Sequence, residues 1–325
     1  MSASKGFVAP AQMLRRALGA LWLAGLALAS PAALAAKPVP VATVGGIAKA
    51  ENSIQTSGGR IFVSSTEGLY ELLQRPDGSW TKRVLPTMLR DGTSPSCYYL
   101  GITEYAGTLY TVCTEDSLNP LARKRLMGLD LASSAPLLQE VGSLTAIGNP
   151  NGLAADGAGN LYYAVSGLLY AGSIHRVTLS GPFQLREDRV LMDLATDNPN
   201  GVKFSAGQLY VSTDPVLLLG VSYLLRYPVA TAGLGLPKVV AHDLGFYDDF
   251  SLLSGGGVLM ADFLGGKVMR IDEATGRVQQ SFSIDQPTSA RVIRAPVTGQ
   301  SLLLVTQMGS NQVTLLTNPD NWQPR

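Results

Sequence analysis

The sequence predicts an all-β fold, a six-bladed β-propeller with four antiparallel strands per blade, and three observations carry that prediction. One phrase recurs in degraded copies: a polar residue, a short apolar strand, a Gly turn and a second strand reading Leu-Tyr-aromatic-small, which together form a β-hairpin. Its clearest copy is Asn149-Pro-Asn151-Gly152-Leu-Ala-Ala-Asp156-Gly-Ala-Gly159-Asn-Leu161-Tyr162-Tyr163-Ala164. The first positions of the five clear copies, 51, 100, 151, 200 and 248, are 49, 51, 49 and 48 residues apart. Between copies lie second hairpins, so each unit holds four strands, and a sixth, weaker copy starts near Ser289.

Residues 38 to 44 come first and have no partner within their own blade. Ring closure supplies one: they are expected as the outer strand of blade six, beside Asn311-Gln-Val-Thr-Leu-Leu316, which removes the open sheet edges. Blade one runs from Glu51 through Ile61-Phe62-Val63-Ser64, and Pro76-Asp-Gly-Ser joins its outer hairpin with turn chemistry. Blade two opens at Leu100-Gly101 and turns at Gly107. Blade three opens at Asn151-Gly152 and continues in Ser173-Ile-His175-Arg-Val-Thr178. Blade four opens at Asn200-Gly201 and continues in Ser222-Tyr-Leu-Leu-Arg-Tyr227. Blade five opens at Asp248-Asp249, and Glu-Ala-Thr-Gly joins its outer strands, Lys267 to Asp272 and Arg277 to Phe282. Blade six ends its second strand in Leu302-Leu-Leu-Val305-Thr.

A repeat spread over nearly the whole chain argues for one closed domain, residues 36–325, with its core in the stacked sheet faces between blades. Hydrophobic residues at 46% with 15% charged fit a β-rich globule and exclude disorder. Residues 1–35 are expected to be a secretory signal peptide: Arg15-Arg16, an apolar run from Ala17 to Ala29, and the small-x-small site Ala33-Leu34-Ala35. That run is short for a membrane span and is followed by Pro31, and no later stretch is long and apolar enough to span. The expected location is therefore periplasmic or secreted. Taking the leader's three bases from 25 leaves 22 against 24 acids, a near-neutral protein with no electrostatic case for nucleic acid or an anionic membrane.

Cys97 and Cys113 bracket the blade-two hairpin, so antiparallel pairing brings them side by side, and in an exported protein a disulfide is expected. Two unpaired buried thiols are the alternative; zinc would need a nearby His or third Cys. The segments Val165 to Gly172, Thr213 to Val221 (with Val216-Leu-Leu-Leu219) and Glu115 to Arg125 follow second strands on the face where the copies open. They read either as a greasy rim around a pocket for an apolar ligand with one polar group, or as packing on neighbouring blades.

First strands lie nearest the axis, so the opening residues Glu51, Leu100, Asn151, Asn200 and Asp248 point to the mouth of the central channel. Two carboxylates and two amide oxygens converging there suit Ca²⁺ or another divalent cation, and Asp249 is a further candidate ligand. No Lys or Arg stands near them in the four polar copies, so Glu51 and Asp248 would repel without a cation between them. The competing reading treats Asn-Gly and Asp-Asp as residues that merely start strands. His175 and His242 lie away from the openings and are expected to be structural or exposed. No Gly-x-Ser-x-Gly elbow, paired-Cys zinc motif or phosphate-binding loop is present.

The pattern Asn-Gly-Leu-Ala-x-Asp-x-x-Gly-x-Leu-Tyr resembles the six-bladed propellers of the gluconolactonase (senescence marker protein), paraoxonase and strictosidine synthase superfamily, over essentially all of the chain after the leader. For its calcium-dependent hydrolases the resemblance implies an acid in blade one, Asn in middle blades and Asp in a later blade around the metal. Glu51, Asn151, Asn200 and Asp248 look like those positions, and Asp249 like the extra ligand of paraoxonases. Leu100 departs from the catalytic His of paraoxonases, and the Cys97/Cys113 bracket resembles the metal-free strictosidine synthase branch.

These readings lead to a calcium-dependent hydrolase of an apolar lactone or carboxylic ester, monomeric, with Asp248 ligating the metal and positioning or deprotonating the attacking water. A non-enzymatic binding or assembly module stapled by structural calcium is the alternative, and a strictosidine-synthase-like condensing enzyme a third.

Overall fold

Alternating apolar residues and turn glycines in each copy produce short antiparallel strands, and six such sheets close into a ring. The computed structural model describes residues 36–167, 172–194, 197–215, 220–231, 233–318 and 320–325. The signal-peptide expectation for 1–35, the centre of the Val165 to Gly172 segment and Val216-Leu-Leu-Leu219 lie outside the described residues.

Blade one is Ser53–Gln55, Ile61–Ser64, Leu69–Gln74 and Trp80–Val84, paired in sequence order. Blades three and five repeat that meander. Blade two carries a fifth strand, Thr87–Met88, parallel to its outer strand Leu138–Ser143. In blade four the short strand Gly233–Leu234 and the outer strand Lys238–Asp243 both pair with Ser222–Ala230. Blade six is closed as the sequence predicts: Pro40–Gly45 pairs antiparallel with Gln312–Thr317, with Val44 opposite Val313. The outermost strand of the last blade thus comes from the start of the described chain, and the ring has no free seam.

The core is divided among six apolar clusters, one at each interface between blades. Between blades six and one, Ile47, Ile61, Val63, Leu302, Leu304 and Val313 are fully buried. Between blades two and three, Tyr110, Leu126, Leu161, Tyr163 and Val177 play that part. Each cluster joins residues of two blades, across the ring closure in the case of blades six and one, so no blade can bury its faces alone.

The disulfide expected between Cys97 and Cys113 is formed, with Cα atoms 5.3 Å apart, and both residues are buried in the cluster between blades one and two. Among the described residues, no helix is long and apolar enough to cross a membrane. His175 is buried and structural: Tyr163 donates to Asp188, and the imidazole Nδ1 lies 2.9 Å from Tyr163 Oη and 3.3 Å from Asp188 Oδ1. His242 is exposed and tilted against Tyr223.

Candidate metal centre

Inner strands in this fold are interrupted at one place. The pairing of the first strand with the second slips between Tyr99 and Ile102, Pro150 and Leu153, Pro199 and Val202, and Tyr247 and Phe250. Inside those four bulges sit Leu100, Asn151, Asn200 and Asp248. A bulge rotates a side chain away from the pleat, here towards the channel axis. In blades two, three and four the opener is followed by a glycine, and that glycine has a steric reason. A Cβ on Gly152 would lie 2.5 Å from the Asn200 carbonyl oxygen, and one on Gly101 would lie 2.6 Å from Leu153 N. At these glycines the adjacent inner strand approaches so closely that no side chain fits.

Hydroxyls at the ends of second strands fix these bulges. Gly201 N donates to Ser212 Oγ at 2.7 Å, and Ser212 Oγ donates to the Asp248 carbonyl at 2.5 Å. Ser289 N donates to Thr306 Oγ1, which donates to the Glu51 carbonyl at 2.7 Å. One blade's serine or threonine therefore ties down the ligand-bearing backbone of the next.

Glu51, Asn151, Asn200 and Asp248 are brought together: all four line one cavity of about 320 Å³ at the channel mouth. They are also buried, both carboxylates being 4% exposed. Among the described residues, Glu51 Oε2, Asn151 Oδ1, Asn200 Oδ1 and Asp248 Oδ1 each lack any hydrogen-bond donor. Four buried oxygens without donors, on four blades around one cavity, are costly alone and fit a hard cation. Among the described residues no group of three His, Cys, Asp or Glu is arranged for a metal. The set that fits is half carboxamide.

Burial first, and the nearby Asp249 charge second, push the Glu51 carboxyl up to about 8. Burial and then the neighbouring Glu51, Asp214 and Asp249 charges hold Asp248 well above the usual carboxylate range, against the Asn200 amide that favours its ionised form. Without a cation both acids bind protons more tightly than ordinary carboxylates, so cation binding competes with protonation.

Asp249 is a correction. Its backbone shares the bulge, but the carboxylate accepts both its ion-pair bonds from Lys203 Nζ, at 2.5 and 2.8 Å, and it does not line the cavity. The expectation that no basic residue neutralises the polar copies fails at the same residue, because Lys203 stands three positions after Asn200 on the blade-four strand.

Asp214 was not legible. It ends the second strand of blade four, lines the cavity and is 1% exposed. Asn200 Nδ2 donates to Asp214 Oδ2 at 3.2 Å, and Ser222 Oγ donates to Asp214 Oδ1. That bond decides which end of the Asn200 amide faces the axis: the nitrogen turns to Asp214 and the oxygen is left free. Among the described residues, Tyr98, Tyr99, Leu100, Phe246, Phe263 and Met308 supply the apolar wall of the cavity, and the described parts of the variable loops contribute Ser117, Ser166 and Asp214.

No family model matches the chain, and no curated protein matches it. Solved structures do. A luciferin-regenerating enzyme superposes with a TM-score of 0.61 at 14% identity, covering 89% of this chain and 98% of that one. A putative gluconolactonase gives 0.60 at 15% identity, covering 91% and 98%. The calcium-binding protein regucalcin from Agrobacterium tumefaciens strain C58 gives 0.57 at 18% identity, covering 84% and 90%. These proteins share the six-bladed wheel. At such identity the likeness carries the fold, and the argument for chemistry rests on the residues of the site.

Proposed function

We propose that the chain is an exported hydrolase of lactones or carboxylic esters that depends on calcium or a similar divalent cation. The observation that carries this reading is the set of four donor-less buried oxygens, Glu51 Oε2, Asn151 Oδ1, Asn200 Oδ1 and Asp248 Oδ1, around one cavity. The same four residues would hold the ion. When bound, such a cation supplies Lewis-acid stabilisation of the negative charge that develops on a carbonyl oxygen.

The chain's own residues account for the rest. Asp248 is the general base for the attacking water, since it lines the cavity and burial raises its affinity for a proton above that of an ordinary carboxylate. Asp214 holds the Asn200 amide in register. Phe246 and Phe263, with ring centroids 6.0 Å apart, and Tyr98, Tyr99, Leu100 and Met308 offer an apolar surface that excludes water from the ester. Asn149 Oδ1, a further buried acceptor without a donor on this wall, is placed to take one hydroxyl or amide proton from a bound substrate. The fold's presence in proteins described as a luciferin-regenerating enzyme and a putative gluconolactonase supports an enzymatic role.

A panel of aryl esters and lactones, assayed with calcium and with chelator, tests the reading. Hydrolysis is expected to disappear on chelation, to return with calcium and to be lost in Asp248→Ala. Calcium-dependent melting with no turnover of any panel member would point to a binding module stapled by its ion.

A further inference from the structure

The channel has a second mouth, and its chemistry is opposite in sign. A cavity of about 170 Å³ opens there, lined by residues from the inner strands of all six blades, among them Ile54, Thr103, Leu153, Lys203, Ser251 and Arg291. It shares no lining residue with the cavity at the metal centre.

Lys203 and Arg291 bring two cations to this space, against the single carboxylate of Asp249. Lys203 takes both Asp249 oxygens. Arg291 donates its Nε to the Ser53 carbonyl at 3.0 Å, and among the described residues its two terminal nitrogens have no acceptor and no ion-pair partner. Arg325 also lines the mouth, but its guanidinium is committed to Glu273 and to the Leu253 carbonyl. One positive charge is thus left over at this half-buried mouth, where partial desolvation favours pairing with an anion. The desolvation is felt: burial lowers the affinity of both Lys203 and Arg291 for their protons, and the Asp249 charge opposes it. A guanidinium with its outer edge free presents two parallel N–H donors, the fork that matches two oxygens of one anion. Thr103 and Ser205 add hydroxyls at the same mouth, and Phe204 and Leu153 keep water from competing.

We propose that this second mouth is a binding site for a small oxyanion, held by the Arg291 fork and the Lys203 ammonium. A carboxylate and an inorganic oxyanion share that chemistry, and the size of the cavity limits either to a few heavy atoms.

Calorimetric titration of the full chain with sodium acetate and, separately, with inorganic phosphate tests it, in a Tris chloride buffer free of other oxyanions. One saturable site is expected with at least one of the two, and the tighter one identifies the source. Arg291→Gln is expected to weaken it at least tenfold, while Asp248→Asn leaves it unchanged, which separates this site from the metal centre. If Arg291→Gln does not fold, Arg291→Lys keeps the charge but loses the fork and should still weaken binding by about tenfold. Saturable binding by neither anion overturns the proposal. Equal binding in the Arg291 variant does so too, because it would mark an adventitious surface ion only.

Discussion

At the scale of single residues, the site works through orientation as much as through charge. Asn200 can present an oxygen or an NH₂ group to the axis, and the acceptor Asp214 Oδ2 selects the oxygen. Asp214→Ala is therefore expected to lower calcium affinity by about 10- to 100-fold with the fold intact, and Asp214→Asn, which keeps an acceptor, to restore most of it; calorimetry reads both. The acids give a pH signature. Glu51 has its folded value raised to about 8 from an ordinary 4.5, so the native state holds a proton that the unfolded chain releases. That stability is complete below about 4.5 and is lost as pH rises towards 8. Metal-free protein should melt at progressively lower temperature across this window, calcium should abolish the decline, and Glu51→Gln should flatten it. A melting temperature of metal-free protein that rises with pH there would contradict the assignment of Glu51 as a buried acid awaiting a cation.

At the scale of elements, the bulged inner strand is the unit that positions the chemistry. The Asn-Gly pairs look like turns in the sequence, because that is where such pairs are commonest. In the structure they stand inside strands, with glycine required by the next blade's backbone. Gly152→Ala is expected to cost about 1–3 kcal/mol in urea unfolding and to weaken calcium binding as Asn151 and Asn200 are pushed apart. The openers Glu51, Asn151, Asn200 and Asp248 were legible since they recur in register with a period that survives sequence decay. Asp249 was not, because the bulge decides which of two adjacent carboxylates faces the axis, and nothing in spacing reveals a bulge. Asp214, Ser212 and Lys203 were hidden for a related reason. Their partners lie across the strand pair or on the next blade; Asp214 and Lys203 each occur in one copy of the repeat, and Ser212, matched by Ser64 and Thr306, reads in the period only as a small residue that follows the second strand's apolar run.

At the scale of the whole molecule, the number of blades and the closure of the ring follow from the sequence. A seven- or eight-residue segment without a local partner, followed by five hairpins about fifty residues apart, leaves one consistent arrangement. Closure by Pro40–Gly45 against Gln312–Thr317 also ties the cluster that holds Val44 and Ile47 to the backbone beside Glu51. Removing residues 36–45 should broaden thermal unfolding and lower the calcium-dependent shift, since an open ring no longer holds blade six against blade one. Reduction of Cys97–Cys113, a 16-residue separation, should cost about 3 kcal/mol with little effect on metal affinity, because the blade-two loop it closes lends Tyr98, Tyr99 and Leu100 to the cavity wall but supplies none of the four oxygens. The account turns on those oxygens sharing one ion. Crystals grown with calcium and measured for anomalous scattering test this directly. A single peak at about 2.3–2.6 Å from Glu51 Oε2, Asn151 Oδ1, Asn200 Oδ1 and Asp248 Oδ1 is the expected result; at saturating calcium, no peak within reach of the four would contradict it.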